Sequence, residues 1–141
     1  MTRLGAITTW STVASVELKG VATVQRNLRS LGLRAPVAVG RALRRLGEEI
    51  MTDAKLLTPV DTGALRASGH VQGPTLGPEV AVTLGFGGPS APYAVYVHER
   101  LDLRHPVGQA KFLEEPFKAK ASQIPERIAA EMRAEVARAA R

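Results

Sequence analysis

The chain has 141 residues, of which 45% are hydrophobic and only 4% aromatic, so it can form one ordinary domain with an aliphatic core. It contains no cysteine, which excludes disulfides, thiolate catalysis and cysteine-based zinc sites and fits assembly in a reducing cytoplasm. The 19 Lys and Arg against 13 Asp and Glu give a net charge of +6, which favours a polyanionic neighbour such as nucleic acid, and no apolar run predicts a membrane span or a signal segment.

The N-terminal part of the chain is predicted to be mostly helical. We interpret residues 1–13 as a flexible arm, followed by a short strand at 16–19 in which apolar and polar residues alternate. Apolar residues then recur at helical spacing over 21–31, which predicts a first short helix that ends at Gly32. The strongest periodicity comes after Pro36 and predicts a helix of about 20 residues that ends near Leu57. Its apolar stripe comprises Val39, Leu43, Leu46, Ile50, Ala54 and Leu57.

Three arginines, Arg41, Arg44 and Arg45, lie opposite this apolar stripe. One interpretation is a solvated face on which Arg44 and Arg45 pair with the glutamates four residues further on, each pair contributing a few tenths of a kcal/mol. The other interpretation is a contact with a neighbouring subunit or with nucleic acid. The sequence leaves both open.

The segment 58–68, Thr-Pro-Val-Asp-Thr-Gly-Ala-Leu-Arg-Ala-Ser, is predicted to be a hinge between the helical part and a strand-rich part after it. Pro59 lacks an N–H and biases Thr58 away from the α region, so the long helix should end just before it. Asp61 or Thr62 can then cap a short helical turn through Leu65 and Arg66. Gly63 comes after the cap at a position that can require a positive φ.

Residues 60–64 of the hinge also match the aspartic-protease signature, in which each of two chains supplies one Asp and the pair shares a proton. In such a protease the Asp follows a buried strand of a nearly all-β domain. Here a helix and Pro59 precede Asp61, so we favour the capping role over the protease.

The C-terminal half is predicted to begin with strands and to end in a helix. A hairpin joins strands at 70–72 and 79–85 through a Gly/Pro-rich loop, and a third strand is predicted at 93–97 after Pro92. Residues 109–141 form a C-terminal helix whose apolar register continues across Pro125, which predicts a kink there. The predicted fold is α+β: one domain over 1–141, with a small antiparallel sheet packed against one long helix and a kinked C-terminal helix.

The only cluster that resembles metal ligands is His98, Glu99, Asp102 and His105. The two histidines do not have the i, i+4 spacing of a ligand pair on one helix, and a catalytic zinc needs three ligands that converge. We therefore interpret these residues as solvated loop residues and predict neither a metal nor a cofactor.

Three blocks in this order, residues 58–68, 93–99 (Tyr-Ala-Val-Tyr-Val-His-Glu) and 111–117 (Lys-Phe-Leu-Glu-Glu-Pro-Phe), resemble the small neck or minor tail proteins of tailed bacteriophages, which join the head to the tail. The resemblance covers residues 16–136. The chain departs from the family after the Tyr-Val block, where His98 to Leu101 replace an acidic or amide-bearing residue and a Gly-Thr pair.

The resemblance implies a non-enzymatic structural protein of the virion neck, assembled in the host cytoplasm, in which copies of the chain form a ring that lets the genome pass. The implied partners are other copies of the chain, head connector or stopper proteins, tail terminator or tail tube proteins and, transiently and non-specifically, genomic DNA; no membrane is implied. The candidate contact residues are Arg41, Arg44, Arg45, Tyr93, Tyr96, His98 and Glu99. The alternative is a small basic nucleic-acid-binding module, supported by the high pI and the arginines.

Overall fold

The computed structural model describes residues 21–141, so the predicted arm (1–13) and the predicted strand at 16–19 lie outside the described residues. The architecture is α+β and mostly helical, which confirms the predicted class. The elements in chain order are α1 (Val21–Leu57), α2 (Ala64–Ala67), β1 (His70–Thr75), β2 (Ala81–Gly85), α3 (Ala94–Glu99), α4 (Glu114–Ala121) and α5 (Ile124–Ala139). None of the helices in this part of the chain combines the length and the apolar character needed to cross a bilayer.

Helix α1 is the element on which the others pack. The two predicted helices are one uninterrupted helix of 37 residues, about 55 Å long, so the prediction of a break at Gly32 was wrong. Pro36 removes the hydrogen bond that the carbonyl of Gly32 would otherwise accept. Gly32 is exposed, so water can serve this carbonyl and the helix continues. The predicted end of the helix at Leu57 is confirmed.

The sheet is a two-stranded antiparallel hairpin in which His70 pairs with Gly85 and Val71 with Leu84, with an irregularity between Gln72 and Thr75. A Cβ built on Gly47 of α1 would lie 3.3 to 3.4 Å from side-chain atoms of Val71, Val82 and Leu84. The apolar face of the hairpin therefore lies directly against α1, as predicted.

The third predicted strand, at 93–97, is instead the short helix α3. Ala94 is buried and Val97 and His98 are half-buried, whereas Val95 and Tyr96 are exposed, so burial follows i, i+3 and i+4. A continuous apolar run contains no polar residue to mark which side chains face water, and it fits either structure. Packing against the neighbouring elements decides between strand and helix, because these elements cover only the side of the segment on which Ala94 lies.

The C-terminal segment is helical only from Glu114, so the predicted start at 109 was wrong, and the helix is interrupted. Helix α4 ends at Ala121 and α5 begins at Ile124, while Ser122 and Gln123 between them keep right-handed helical dihedral angles. Pro125 causes the interruption because it lacks an N–H and its ring crowds the carbonyl one turn back. The prediction of a kinked helix is therefore correct in position, and the kink takes the form of a two-residue break.

Helix α5 runs antiparallel to α1, and a row of ion pairs joins them. Glu135 is buried, and its carboxylate receives Arg41 at 3.3 Å, Arg34 at 3.7 Å and also Arg138. Arg41 also reaches Glu131 at 3.0 Å. Charge complementarity thus fixes the register of the two helices.

Replacing Glu135 with alanine is expected to lower the free energy of unfolding by about 1–2 kcal/mol. Removing one partner of a fully buried ion pair costs about 3–5 kcal/mol, but the arginine partners here are roughly half exposed and can be rehydrated. Urea unfolding at neutral pH measures the difference. Glu126→Ala is the control, because that glutamate is exposed and, within residues 21–141, pairs only with exposed Arg133; equal losses in both variants would contradict a special role for Glu135.

Candidate docking cleft at the hinge

The hinge segment is held to the end of α1 by buried polar contacts. The Thr58 side chain is fully buried and its Oγ1 donates to the carbonyl of Ala54 at 2.7 Å. Arg66 of α2 donates from Nη2 to the Thr58 carbonyl at 3.1 Å. The carbonyls exposed by the end of the helix thus gain donors, and α2 is fixed against α1.

The loop after α3 is fastened to the same place through Gly108. The N–H of Gln109 donates to the carbonyl of Leu57 at 2.8 Å. Gly108 has φ of +85°, and a Cβ on it would lie 2.5 Å from the Pro59 nitrogen and 2.6 Å from the Leu57 oxygen. Only glycine allows both this backbone conformation and this approach.

The predicted capping of α2 is only partly correct. Gly63 occupies the N-cap position with φ of +86°, in agreement with the positive φ predicted for it, and no side chain caps the helix there. Thr62 Oγ1 accepts a long hydrogen bond of 3.4 Å from the N–H of Ala64. Asp61 makes no hydrogen bond or ion pair within residues 21–141, so its predicted capping role is wrong. Its carboxylate is exposed at the hinge and accepts no hydrogen bond from the N–H groups of α2.

Hinge and loop enclose a cleft of about 540 Å³. One wall consists of the hinge, and the other consists of Tyr93, Val97 and the loop Arg104–Val107. Exposed apolar side chains line it, among them Val60, Tyr93 and Val107. The cleft residues are Pro59, Val60, Asp61, Thr62, Gly63, Leu65, Tyr93, Val97, Arg104, His105, Pro106 and Val107.

The structure thus brings together predicted residues from two of the three sequence blocks and adds a wall that was not predicted. The sequence indicated a loop at 100–108 that could carry contacts, but none of residues 104–107 was among the candidate contact residues. Asp61 and Arg104 both line the cleft, and neither forms an ion pair within the described chain. Nε2 of His105 is buried without a hydrogen-bond partner among the same residues.

Beneath the cleft, Phe112 joins the loop to the hinge. Its side chain is 1% exposed and packs with Leu65, Ala91 and Ala94 in one cluster. The rings of Phe86 and His98 each meet it edge-on, with centroids 5.0 Å away. This small core holds α2, α3 and the loop as one unit.

His98 and Glu99, two of the predicted contact residues, belong to a polar network on the other side of Phe112. Nδ1 of His98 lies 2.7 Å from a Glu99 oxygen, and Lys111 bonds Glu99 and lies 3.0 Å from Glu114. The Lys111 ammonium, and then His98, hold the pKa of Glu99 below its ordinary value. Lys118 and then Lys111 lower the pKa of Glu114 to about 2. Both carboxylates of the network are therefore stabilised in their charged form.

Glu114 is expected to contribute acid-sensitive stability. Its pKa is about 2 in the folded chain against an ordinary 4.5, so its contribution is complete above pH 4.5 and is lost as the pH falls towards 2. Glu114→Gln should therefore be less stable than the parent chain at neutral pH, and the difference should shrink across that window. Urea unfolding at several pH values measures it, with Glu115→Gln as the matched control on the same turn. A difference that stays constant with pH would contradict this assignment.

Tyr93 and Tyr96 take different positions. Tyr93 lines the cleft, whereas Tyr96 lies outside it under the guanidinium of Arg100, which is 5.1 Å above its ring. Arg100 also donates hydrogen bonds to the carboxylate of Asp102, which lowers the pKa of Asp102 to about 2. Tyr96 is therefore part of an exposed surface next to the cleft.

The three predicted arginines bond within the chain. Arg41 reaches Glu131 and Glu135, Arg44 donates to the carbonyls of Val71 and Gly73 and pairs with Glu48, and Arg45 pairs with Glu131. The pair expected between Arg45 and Glu49 does not form: Arg45 pairs with Glu131, and Glu49 pairs with Arg127 and Lys120. A subunit or DNA contact by these arginines stays a prediction.

The cleft contains no recognisable arrangement for catalysis. Within residues 21–141, no three His, Asp or Glu side chains lie together as metal ligands. Asp61 lies in a turn after a helix, whereas the protease signature needs it after a buried strand.

Comparison with known proteins gave one result. A family model described as "Bacteriophage HK97-gp10, putative tail-component" matches residues 22–99, just over half of the chain. The matched range contains α1, the hinge, the hairpin and α3, and it ends before the loop wall of the cleft. No curated protein and no solved structure gave a significant match.

Proposed function

The chain belongs to the HK97-gp10-like family of bacteriophage tail components, and on this premise we propose that it is a structural subunit of the virion neck. Copies of the chain form a closed ring between the head connector and the tail, and the genome passes through it. A closed ring is built from heterologous contacts, in which two different surfaces of each subunit meet. Family membership supports a structural, non-enzymatic virion protein, and the ring and the neck position are the proposal.

The observation that carries this proposal is the cleft at the hinge. Its hinge wall and Tyr93 belong to the blocks on which the resemblance to neck proteins depends, and together with Val107 of the loop they expose an apolar surface that includes Val60. Clustered apolar side chains with a polar surround are typical of surfaces that bind other proteins. Asp61 and Arg104 in the same cleft offer one charge of each sign, which would fix the orientation of a partner.

Loss of the protein from a phage that encodes it tests the role directly. We expect filled heads and complete tails that remain unjoined in electron micrographs, and restoration of joined particles when the chain is supplied from a plasmid. Mass spectrometry of purified particles should detect the chain. Joined, infectious particles without it would refute the neck role, and a chain that is required but absent from particles would be an assembly factor.

A matched pair of variants tests the cleft itself. Val60→Asp places a carboxylate among the exposed apolar residues of the cleft, and should abolish complementation without loss of folding. Thr83→Asp makes a similar change on the outer side of the hairpin, where Thr83 is exposed, and should complement normally. Equal complementation by both variants would show that the cleft contacts no essential partner.

The alternative, a basic nucleic-acid-binding module, makes a different prediction. A protein that grips DNA neutralises several phosphates, and its affinity falls steeply with salt. Arg41, Arg44 and Arg45 already bond within the chain, and stacking aromatic residues are few. We therefore expect the isolated chain to bind duplex DNA weakly, without sequence preference, and to lose this binding by about physiological salt. Fluorescence anisotropy against salt measures this; tight sequence-specific binding would favour the module.

A further inference from the structure

The two strands of the hairpin differ in how their outer edges are protected. Nη1 of Arg44 donates to the carbonyls of Val71 and Gly73 on β1, at 3.0 and 2.8 Å, and β1 also contains Pro74, which has no N–H. A charged side chain and a proline are two common means of keeping another strand from an edge. β2, with the sequence Ala-Val-Thr-Leu-Gly, contains neither a proline nor a charged residue. The edge of β2 is therefore open to pairing.

The open edge consists of backbone groups of Val82 and Leu84. Because Arg44 bonds the carbonyls of Val71 and Gly73, these point away from β2, and Val71 and its partner Leu84 form a non-hydrogen-bonded pair of the ladder. The N–H and C=O of Leu84 then point away from β1, as do those of Val82 two residues earlier. Within residues 21–141 no other element bonds the backbone of 82–84.

A groove of about 410 Å³ runs along this edge, between β2 and the start of α4. Val82 and Leu84 face α1 but stay half-buried, as does Leu113 on the other side of the groove, and Phe117 is 44% exposed. A third strand at this edge would bond the free backbone groups of β2, and its inward side chains would cover these apolar residues.

Residues 16–19, Val-Glu-Leu-Lys, have the alternation of a strand with one buried face, and they come just before Val21, where α1 begins. The hairpin lies against α1 at Gly47, which is about 39 Å further along the helix. Residues 16–20 span at most about 18 Å when fully extended. This segment therefore cannot reach the edge of β2 in its own chain, but it can reach the edge of another copy.

We infer that residues 16–19 of one copy add to the open edge of β2 in the next copy as a third, antiparallel strand. The direction follows from the exposed outer face of the hairpin, because sheets with one solvated face are commonly antiparallel. Val16 and Leu18 face the groove, and Glu17 and Lys19 lie on the solvated face beside Thr83. That face then carries one charge of each sign, so Thr83→Asp leaves the contact in place.

Each copy donates one strand and accepts one, so the contact joins two different surfaces and can repeat from copy to copy until a ring closes. The inference rests on the proposed ring and names the contact that would link its subunits. It also gives a role to the N-terminal segment, which the hinge cleft does not involve.

Cysteine crosslinking tests the contact, because the chain has no native cysteine. Across an antiparallel edge, Thr83 and the residue beside it have Cα atoms about 4.5–5.5 Å apart, which a disulfide can bridge. Thr83→Cys combined with Glu17→Cys, or with Lys19→Cys if the register is shifted by two residues, should give a ladder of covalent multimers on oxidation. An equimolar mixture of the corresponding single variants should stop at a dimer.

Matched controls test the assigned faces of the added strand. Leu18→Cys with Thr83→Cys places the two thiols on opposite faces of the sheet and should give about tenfold less product. Adding Leu18→Asp to the productive pair places a carboxylate in the apolar groove and should lower the yield about tenfold, which corresponds to about 1.4 kcal/mol. Ser15→Asp, on the solvated face of the same segment, should leave the yield unchanged; equal yields with both aspartates would overturn the inference.

Two other results would assign the edge to a different occupant and overturn the inference. Dimers from Thr83→Cys alone would show that the β2 edges of two copies pair with each other. Closure within one chain between Thr8→Cys and Thr83→Cys would assign the edge to the chain's own first residues, which are far enough from Val21 to span the distance.

The crosslinks also separate this inference from the proposed function. The same double variant is oxidised both as purified protein and within phage particles. A ladder from the pure protein together with absence of the chain from particles would keep the contact and refute the neck role. No ladder in either setting, while loss of the protein still leaves heads and tails unjoined, would keep the neck role and refute this contact.

Discussion

Replacing Gly108 with alanine is expected to lower the free energy of unfolding by about 3 kcal/mol. Two effects add: a non-glycine residue in the left-handed region costs about 1–2 kcal/mol, and overpacking costs about 1–3 kcal/mol. The added Cβ would lie within 2.7 Å of backbone atoms of Leu57 and Pro59, which cannot rotate away as a flexible side chain could. The loop wall of the cleft would have to detach from the end of α1.

Gly63 provides the matched control, because its φ of +86° is close to the +85° of Gly108 and nothing lies within 4 Å of its built Cβ. Gly63→Ala should lose only the conformational part, about 1–2 kcal/mol. Urea unfolding of both variants therefore isolates the cost of the close approach. If the two losses are equal, the contact between the loop and the helix end contributes nothing to stability.

The helix end, by contrast, was predictable, because local chemistry determines it. Pro59 constrains Thr58 wherever the rest of the chain lies, so α1 ends at Leu57 as predicted. The hairpin was predictable for the same reason, because its turn residues and the alternating pattern of its strand are local features of the sequence. The close contact between Gly108 and Pro59, in contrast, joins residues about 50 positions apart in the sequence. Local sequence patterns cannot predict such a contact.

The missed features share one cause, which is that a partner far away in the sequence decides the outcome. The periodicity of α1 correctly identified its buried side but could not show that Glu131 and Glu135 would cover its arginine face. These two glutamates, four residues apart on one side of a predicted helix, were the available signal. In the same way, the burial of Ala94 against Phe112 determines that 94–99 is helical, although its residue types also suit a strand.

Only one of the two walls of the cleft could be predicted from the sequence. The hinge wall was identified from residues 58–65 because its proline, glycine and capping residues have unusual backbone requirements. The opposite wall, 104–107, has only Pro106 to indicate a turn, and its position is set by Gly108 and Phe112. A second wall that is fixed by tertiary contacts can be predicted only when those contacts are known.

Replacing Phe112 with alanine is expected to be the most damaging single truncation, with a loss of about 3–5 kcal/mol. The side chain is 1% exposed and contacts Leu65 of the hinge, Ala94 of α3 and, edge-on, Phe86. Its removal would leave a cavity at the place where hinge, helix and loop meet, and these three could not all move in to fill it. Phe112→Leu should lose less, about 1–2 kcal/mol, because it keeps most of the volume but not the aromatic contacts.

Phe117 supplies the control for Phe112, since it lies five residues further on in α4 and is 44% exposed. Phe117→Ala should lose about 1 kcal/mol or less. Urea unfolding ranks the three variants, and complementation of the phage lacking the protein shows whether the cleft survives. Phe112 supports both walls of the cleft. Phe112→Leu should therefore impair the joining of heads and tails even under conditions in which most molecules of the variant are folded. Normal joining by that variant would show that the shape of the cleft does not matter for its partner.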